Sequence, residues 1–282
     1  KTNRKNRTET PSAMEDEDLS FWDHLHELRK YLIRSILAFL ILFIAAFSFR
    51  EILFDQFLFS LLEPDFITYR WFTTLAGYFG INGAEKIVLG FNLINIRLAG
   101  QFTAHISISA LAAAILTLPF LVFQLWLFIK PALYANEQKI MARNAVVIVF
   151  LFIVGCAFAY FVITPLSVLF LGNYEVSDKV SNTISLSSYI SVFNSTLFLT
   201  GLLFELPVLL IVLSRIGILN AAVLRKYRKH AVVAGLILSA IITPSTDPFT
   251  MTLVAIPLYL LFEISILSVA AKEKRHGRKT KA

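Results

Sequence analysis

Charge and cysteine are both scarce in this chain, and each shortage closes off a class of function. Asp, Glu, Lys and Arg make up only 16% of its 282 residues, against about 25% in soluble domains. Too little polar surface is available to wrap a core of this size in water, so the chain reads as a membrane protein. The one cysteine, Cys156, lies inside an apolar run, which rules out a disulfide framework and a CxxC metal pair. The five histidines (24, 26, 105, 230 and 276) form no HExxH, and there is no P-loop, GxGxxG or GxSxG. Serines are frequent between Ser177 and Ser195, yet no His or Asp partners recur at the same depth, so that stretch reads as a polar external loop. The chain is expected to be no enzyme, and to need no metal or cofactor.

What is abundant is apolar. Hydrophobic residues make up 57% of the chain and Phe alone contributes 26. A membrane-spanning helix needs about 20 residues to cross ~30 Å of hydrocarbon. Six runs are expected to do so: Leu32–Phe49, Phe102–Ile129 with Pro119 inside, Asn144–Pro165, Ser191–Leu213 with Pro207 inside, Ala231–Thr243, and Phe249–Val269 with Pro257 inside. The fifth is short and implies snorkelling of Lys229 and His230, together with a locally thinned bilayer. No cleavable signal peptide is expected, because the first ~30 residues are polar and the first apolar run lacks an A-x-A exit.

The net charge of +7 is gathered in a few places. Lys130, Lys139 and Arg143 flank the second connection, Arg215, Arg225, Lys226, Arg228 and Lys229 crowd the fourth, and six basic residues lie between Lys272 and Lys281. The third connection has only Lys179 against Glu175 and Asp178, and the fifth has no basic residue. By the positive-inside rule both termini are cytoplasmic, and the charge reads as topology, with no nucleic-acid partner. Residues 1–18 are expected to be a disordered tail, 19–270 a single six-helix membrane domain, and 271–282 a basic tail. The long loop from Arg50 to Gln101 is aromatic and is expected to hold short interfacial helices.

Before the first span, Leu19–Tyr31 reads as an amphipathic surface helix. Phe21, Leu25, Leu28 and Leu32 make one stripe, while His24, Glu27 and Tyr31 line up on another. Ser20 with Asp23 resembles a capping box. In the second connection Pro119 kinks the span, Gln124 places an amide among aromatics, and Pro131 breaks the helix. Glu27 and Glu137 near Phe128 would suit a guanidinium, which pairs bidentately with carboxylates and stacks on rings. Equally, Glu137 would serve to neutralise Lys139 and Arg143. Glu205 lies mid-span beside the kink at Pro207, where an ionised carboxylate costs at least ~2.5–3.5 kcal/mol. It marks either a polar groove or a carboxyl group satisfied within helix packing. Glu263 is near a helix end, where snorkelling accounts for it, and Asp247 is placed to cap the last helix.

The stretches HLHELRKYL, FQLWLFIKPALYANEQ, GCAFAYFVITPL, FELPV, RKYRKHAVVAG, ITPSTDPF and AIPLYLLFEI follow one another in the order and spacing of the TatC family. That family is the multispanning receptor component of the twin-arginine protein translocase. The resemblance covers roughly Leu19–Leu267. It implies an all-α protein of six helices in a concave, glove-like bundle, in a bacterial inner membrane and driven by the proton-motive force. Glu27, Arg29, Phe128 and Glu137 would read the Arg-Arg motif of signal peptides on folded substrates. Glu205, with Pro207 and Gln124, would belong to the intramembrane groove that the signal peptide enters. Thr243, Met251 and Asp247 would lie where single-span TatA or TatB partners dock, within a receptor complex holding several copies of this chain. The sequence departs from the family pattern at Tyr31, where an arginine is common, and at Met251, where a glutamine is common. A competing class is a proton-coupled small-solute transporter working through Glu205, but the inverted repeats of such folds are not visible.

Overall fold

The computed structural model describes residues 21–78, 91–132, 134–177, 182–242 and 248–279. The expected tail over 1–18 and the Ser20 cap fall outside these residues, as do Thr243 and Asp247.

The expected surface helix runs into the first span, and the two form one continuous helix rather than a separate surface element and a span. Helix α1 (Phe21–Ser48) runs unbroken for 28 residues, because nothing in it competes with the helix: it holds neither Gly nor Pro. Leu32, Ile36, Leu40, Ile41 and Ile44 are exposed along its length, an arrangement suited to lipid rather than water, while its other side packs on α3. The next loop begins with a π-helical turn (Ile52–Leu58) and a 3-10 turn (Phe59–Leu62), followed by α2 (Ile67–Tyr78). These are the short helices expected there. The sequence did not reveal that β1 (Asn92–Ile94) pairs in parallel with β2 (Thr183–Ser185), joining two loops some 90 residues apart.

Helix α3 (Gly100–Ile129) continues through Pro119 and stops where Pro131 is expected to stop it, in a 3-10 turn over Lys130–Ala132. Next come α4 (Ala135–Phe158), a π-helical turn (Ala159–Ile163) and α5 (Thr164–Asn173). The expectation that this span ends at Pro165 needs correction. Pro165 occupies the first turn of α5, where its missing N–H costs nothing, and the wider π turn absorbs its ring. Helix α6 (Leu186–Leu203) starts earlier than expected, because the Ser185 hydroxyl accepts the Ser188 N–H at 3.2 Å and caps it. The chain then breaks at Phe204 and Glu205 before α7 (Leu206–Arg215), α8 (Ala221–Lys226), α9 (Arg228–Ile242) and α10 (Pro248–Lys279).

Among the described residues, five segments are long and apolar enough to cross a membrane: His26–Ser48, Gly100–Ile129, Met141–Asn173, Leu186–Arg215 and Pro248–Glu273. The sixth apolar helix, α9, has 15 residues and packs on α10 and α6. At 1.5 Å per residue it spans about 22 Å.

Three tyrosines tie the loop before α3 to the bundle. Tyr189 donates to the Leu58 carbonyl at 2.7 Å, Tyr160 to the Phe57 carbonyl at 2.9 Å, and Tyr69 to the carbonyls of Leu61 and Pro165 at 3.0 and 3.2 Å. Phe57 and Tyr160 also stack with centroids 4.5 Å apart. Burial holds the Tyr69 phenol well above the usual tyrosine range. Beneath them Leu58, Leu61, Ile108, Phe193 and Leu197 form a fully enclosed cluster. Tyr189→Phe leaves the buried Leu58 carbonyl without that donor, a loss of about 1–3 kcal/mol. Thermal unfolding in detergent is expected to shift down by a few degrees, while the membrane-spanning helix content is unchanged.

Candidate functional site

At the end of the bundle where α3 turns into α4, the N-terminal part of α1 meets Phe128, one of the residues the sequence marks for cation recognition. The Tyr31 ring meets the Phe128 ring edge-on, with centroids 6.1 Å apart and planes at 63°. The Arg34 guanidinium lies 5.7 Å from the Tyr31 centroid. Glu27 precedes Tyr31 by four residues, so it stands on the same face one turn further out, about 6 Å along the axis. It is half-buried. Arg29, two residues on from Glu27, is exposed on a different face of α1. Tyr31 is thus the residue of α1 in contact with Phe128, with Glu27 one turn away on the same face and Arg29 on another.

Glu137 lies in the first turn of α4, and its side chain is outside the described residues. The backbone that carries it is held in place. Gln138 donates its side-chain N–H to the Lys130 carbonyl at 3.3 Å and its main-chain N–H to the Tyr134 carbonyl at 3.0 Å. The turn that Pro131 imposes thus folds α4 back beside the end of α3. Tyr31 is the member of this group that the sequence reading passed over as a departure from pattern. Its alignment with Glu27 was visible, but its contact with Phe128 depends on how α1 leans on α3.

A second polar feature lies inside the membrane-spanning region. Glu205 sits at the break between α6 and α7, where Pro207 occupies the first turn of α7. The kink expected at Pro207 is a break of two residues, where the Glu205 N–H bonds to the Leu202 carbonyl at 3.1 Å, and the regular ladder resumes with the Leu209 N–H on the Glu205 carbonyl at 3.0 Å. Both carboxylate oxygens are closed to solvent and have no hydrogen-bond partner among the described residues, although the Phe152 backbone faces them from α4. Gln124, on α3, is 5% exposed and its Oε1 is likewise without a partner. The two side chains are not bonded to each other. Such buried orphans cost several kcal/mol in hydrocarbon unless water or a ligand completes them.

Helices α4 and α6 meet closely just before this break. A Cβ on Gly201 would sit 2.7 Å from the Cys156 sulfur, and one on Gly155 would sit 2.8 Å from Phe204. Two facing glycines let the backbones approach, as small residues do between membrane helices. Glu263, for which the sequence suggested snorkelling, is paired. Arg228 binds its Oε2 at 2.7 Å and the Tyr259 hydroxyl donates to its Oε1 at 3.0 Å, joining α9 to α10. Met251 is half-buried near the start of α10. No group of three or more metal-ligating side chains occurs among the described residues.

A polytopic helical membrane protein with a broken span, an isolated intramembrane carboxyl group and an aromatic–acidic surface at one end is the class this architecture defines. The chain belongs to the TatC family: the model described as Sec-independent protein translocase protein (TatC) matches residues 23–257. It is 35% identical over 254 residues to the Sec-independent protein translocase protein TatC of Blattabacterium sp. subsp. Periplaneta americana, covering 89% of this chain and 95% of that one. To the protein of the same name from Escherichia coli K12 it is 31% identical over 243 residues, covering 86% and 85%. Two crystal structures of the twin-arginine translocase receptor TatC share its fold. The one in DDM has a TM-score of 0.67 at 33% identity, covering 87% of this chain and 99% of that one, and the other has 0.62 at 31%.

Proposed function

We propose that this chain is the receptor subunit of a twin-arginine translocase, multi-pass in a bacterial inner membrane with both termini cytoplasmic. The observation that supports the reading is the contact of Tyr31 with Phe128 beside the turn into α4, with Glu27 one helical turn from Tyr31 on α1. A signal peptide's arginines would pair with Glu27 and Glu137 over the Phe128 edge, and its apolar part would pass toward Gln124, Glu205 and Pro207. Arg29 would lie outside the direct contact and repel a misplaced basic residue.

The orientation is supported by the distribution of charge. Lys130, Arg143, Arg215, Arg225 and Arg228 all fall at connections on one side of an alternating helix order. Helix α9 would make the sixth crossing in a thinned bilayer, its exposed Val232, Val233, Leu236, Ile237 and Ile241 facing lipid. TatA- or TatB-type single-span proteins would dock around Thr243, Asp247 and Met251, on the short α9 and the start of α10, in an assembly of several copies of this chain with a concave membrane face. No cofactor is needed for any of these steps.

The test is equilibrium binding of a fluorescent signal peptide to the purified protein in detergent. An Arg-Arg peptide is expected to bind at least about tenfold more tightly than its Lys-Lys counterpart, since lysine supplies a point charge where arginine supplies a fork. Equal binding contradicts the receptor reading. The unpartnered Glu205 also suits a proton-coupled solute carrier; uptake of a solute into liposomes holding this chain alone would favour that reading instead.

A further inference from the structure

Two cavities open along the seam between α3 and α6, at the end of the bundle that carries β1 and β2. The outer one, about 410 Å³, is lined by Arg97, Thr103, Ser107, Ser187, Ser191 and Asn194 among others. The inner one, about 420 Å³, is lined by Leu111, Ala114, Phe198 and Leu199. They share Ser107, Asn194 and Ser195, so they form one continuous groove. Each volume lies within the range of about 300–1,000 Å³ usual for small-ligand sites.

The groove is divided by chemistry along its length. Both helices begin at the same end, and their lining residues advance together by three or four positions: Thr103, Ser107, Leu111 and Ala114 on one, Ser187, Ser191, Asn194 and Phe198 on the other. The outer turns are hydroxyls and an amide, and the inner turns are apolar. Some of the polar groups are already engaged with each other, since Asn194 donates to the Ser107 hydroxyl at 2.8 Å. Among the described residues Arg97 is the one charged residue lining the groove, and its main chain is tied down. Its carbonyl accepts the Gly100 N–H and the Asn95 side-chain N–H, both at 2.9 Å. A side chain at position 100 would collide with Asn95, so the glycine is what lets this turn close over the start of α3.

A solute would match one half of this groove and be rejected by the other. An amphiphile matches both. We propose that the groove is a phospholipid site: an anionic phospholipid sets its phosphate at Arg97 among the outer hydroxyls and lays one acyl chain along Leu111, Ala114, Phe198 and Leu199. A guanidinium pairs bidentately with a phosphate, and the backbone that carries Arg97 is held by the Gly100 and Asn95 bonds. Among the described residues that line the groove there is no carboxylate to oppose a negative head. The lipid covers the polar first turns of α3 and α6 and bridges the two helices beside the β1–β2 pair.

Delipidated full-length protein in neutral detergent, incubated with phosphatidylglycerol or phosphatidylcholine of identical chains, is read by native mass spectrometry. The wild type is expected to retain phosphatidylglycerol roughly tenfold better, because phosphatidylcholine carries the same phosphate but also a choline cation, which the Arg97 guanidinium repels. Arg97→Gln is expected to bring the two lipids level. Ala114→Phe fills the inner cavity and is expected to lose both adducts, with Ala114→Leu intermediate, a grading that separates blocking from unfolding. Equal retention of the two lipids by the wild type overturns the proposal, as does undiminished binding in Ala114→Phe. Loss of twin-arginine peptide binding in Ala114→Phe with lipid adducts unchanged would assign the groove to the peptide and overturn it too.

Discussion

A chain carrying Glu27→Gln and Glu137→Gln together is expected to bind an Arg-Arg signal peptide at least about 100-fold more weakly than wild type. Each carboxylate–guanidinium contact contributes about 1.5–3 kcal/mol, so two contribute about 3–6. The lower bound alone is about two decades in Kd, at 1.4 kcal/mol per decade. Each single variant should lose about one decade. The two losses should also add, because Glu27 comes from α1 and Glu137 from α4 and in the proposed site each would meet its own arginine. A Lys-Lys peptide should lose much less, so the preference of the wild type collapses in the double variant. Arg29→Gln provides the contrast: on another face of α1, it should change binding by only a few-fold. Thermal unfolding distinguishes a lost contact from a damaged fold, and the double variant should melt within a few degrees of wild type. Titration of labelled peptide against each variant measures all of these.

The largest effect on the fold itself is expected from Gly201→Leu. The new side chain would enter space held by Cys156 and Phe152, at 2.7 and 2.8 Å from its Cβ alone. Phe152 is fully buried, and neither neighbour is the free end of a flexible chain. Overpacking of this kind costs about 1–3 kcal/mol when neighbours can shift, and more when backbone must move. Here α4 and α6 must separate. Because Gly201 is four residues before Glu205, the break that holds the carboxyl group moves with them. Loss of a sharp unfolding transition in detergent is expected, together with reduced accumulation in membranes. Gly201→Ala should be milder but still destabilised. A Gly201→Leu protein that melts like wild type would show that the α4–α6 contact is looser than described.

Much of the fold could be read from the sequence because its signals are local. The apolar runs pointed to the five segments long enough to cross a membrane, Pro131 marked the end of α3, and Pro207 marked the break beside Glu205. The misreadings have a common cause. Pro165 looks like a stop signal in isolation, but a π turn before it makes room for it within one span. The β1–β2 ladder joins three-residue segments too short to stand out in any window. Glu263 suggested snorkelling because its partner, Arg228, is 35 positions earlier. At the candidate site, Glu27, Phe128 and Glu137 were legible through residue type and resemblance. The Tyr31–Phe128 contact was not, since it exists only once α1 and α3 lie side by side.

The claim that matters most is that arginine recognition takes place where α1 meets the end of α3. Placing a photoreactive phenylalanine analogue at position 128, and separately at position 137, and irradiating with signal peptide bound tests it directly. With an Arg-Arg peptide, crosslinks from both positions are expected, and with a Lys-Lys peptide they should largely disappear. Crosslinks of equal strength with both peptides would mean that this surface is not where the arginines are read.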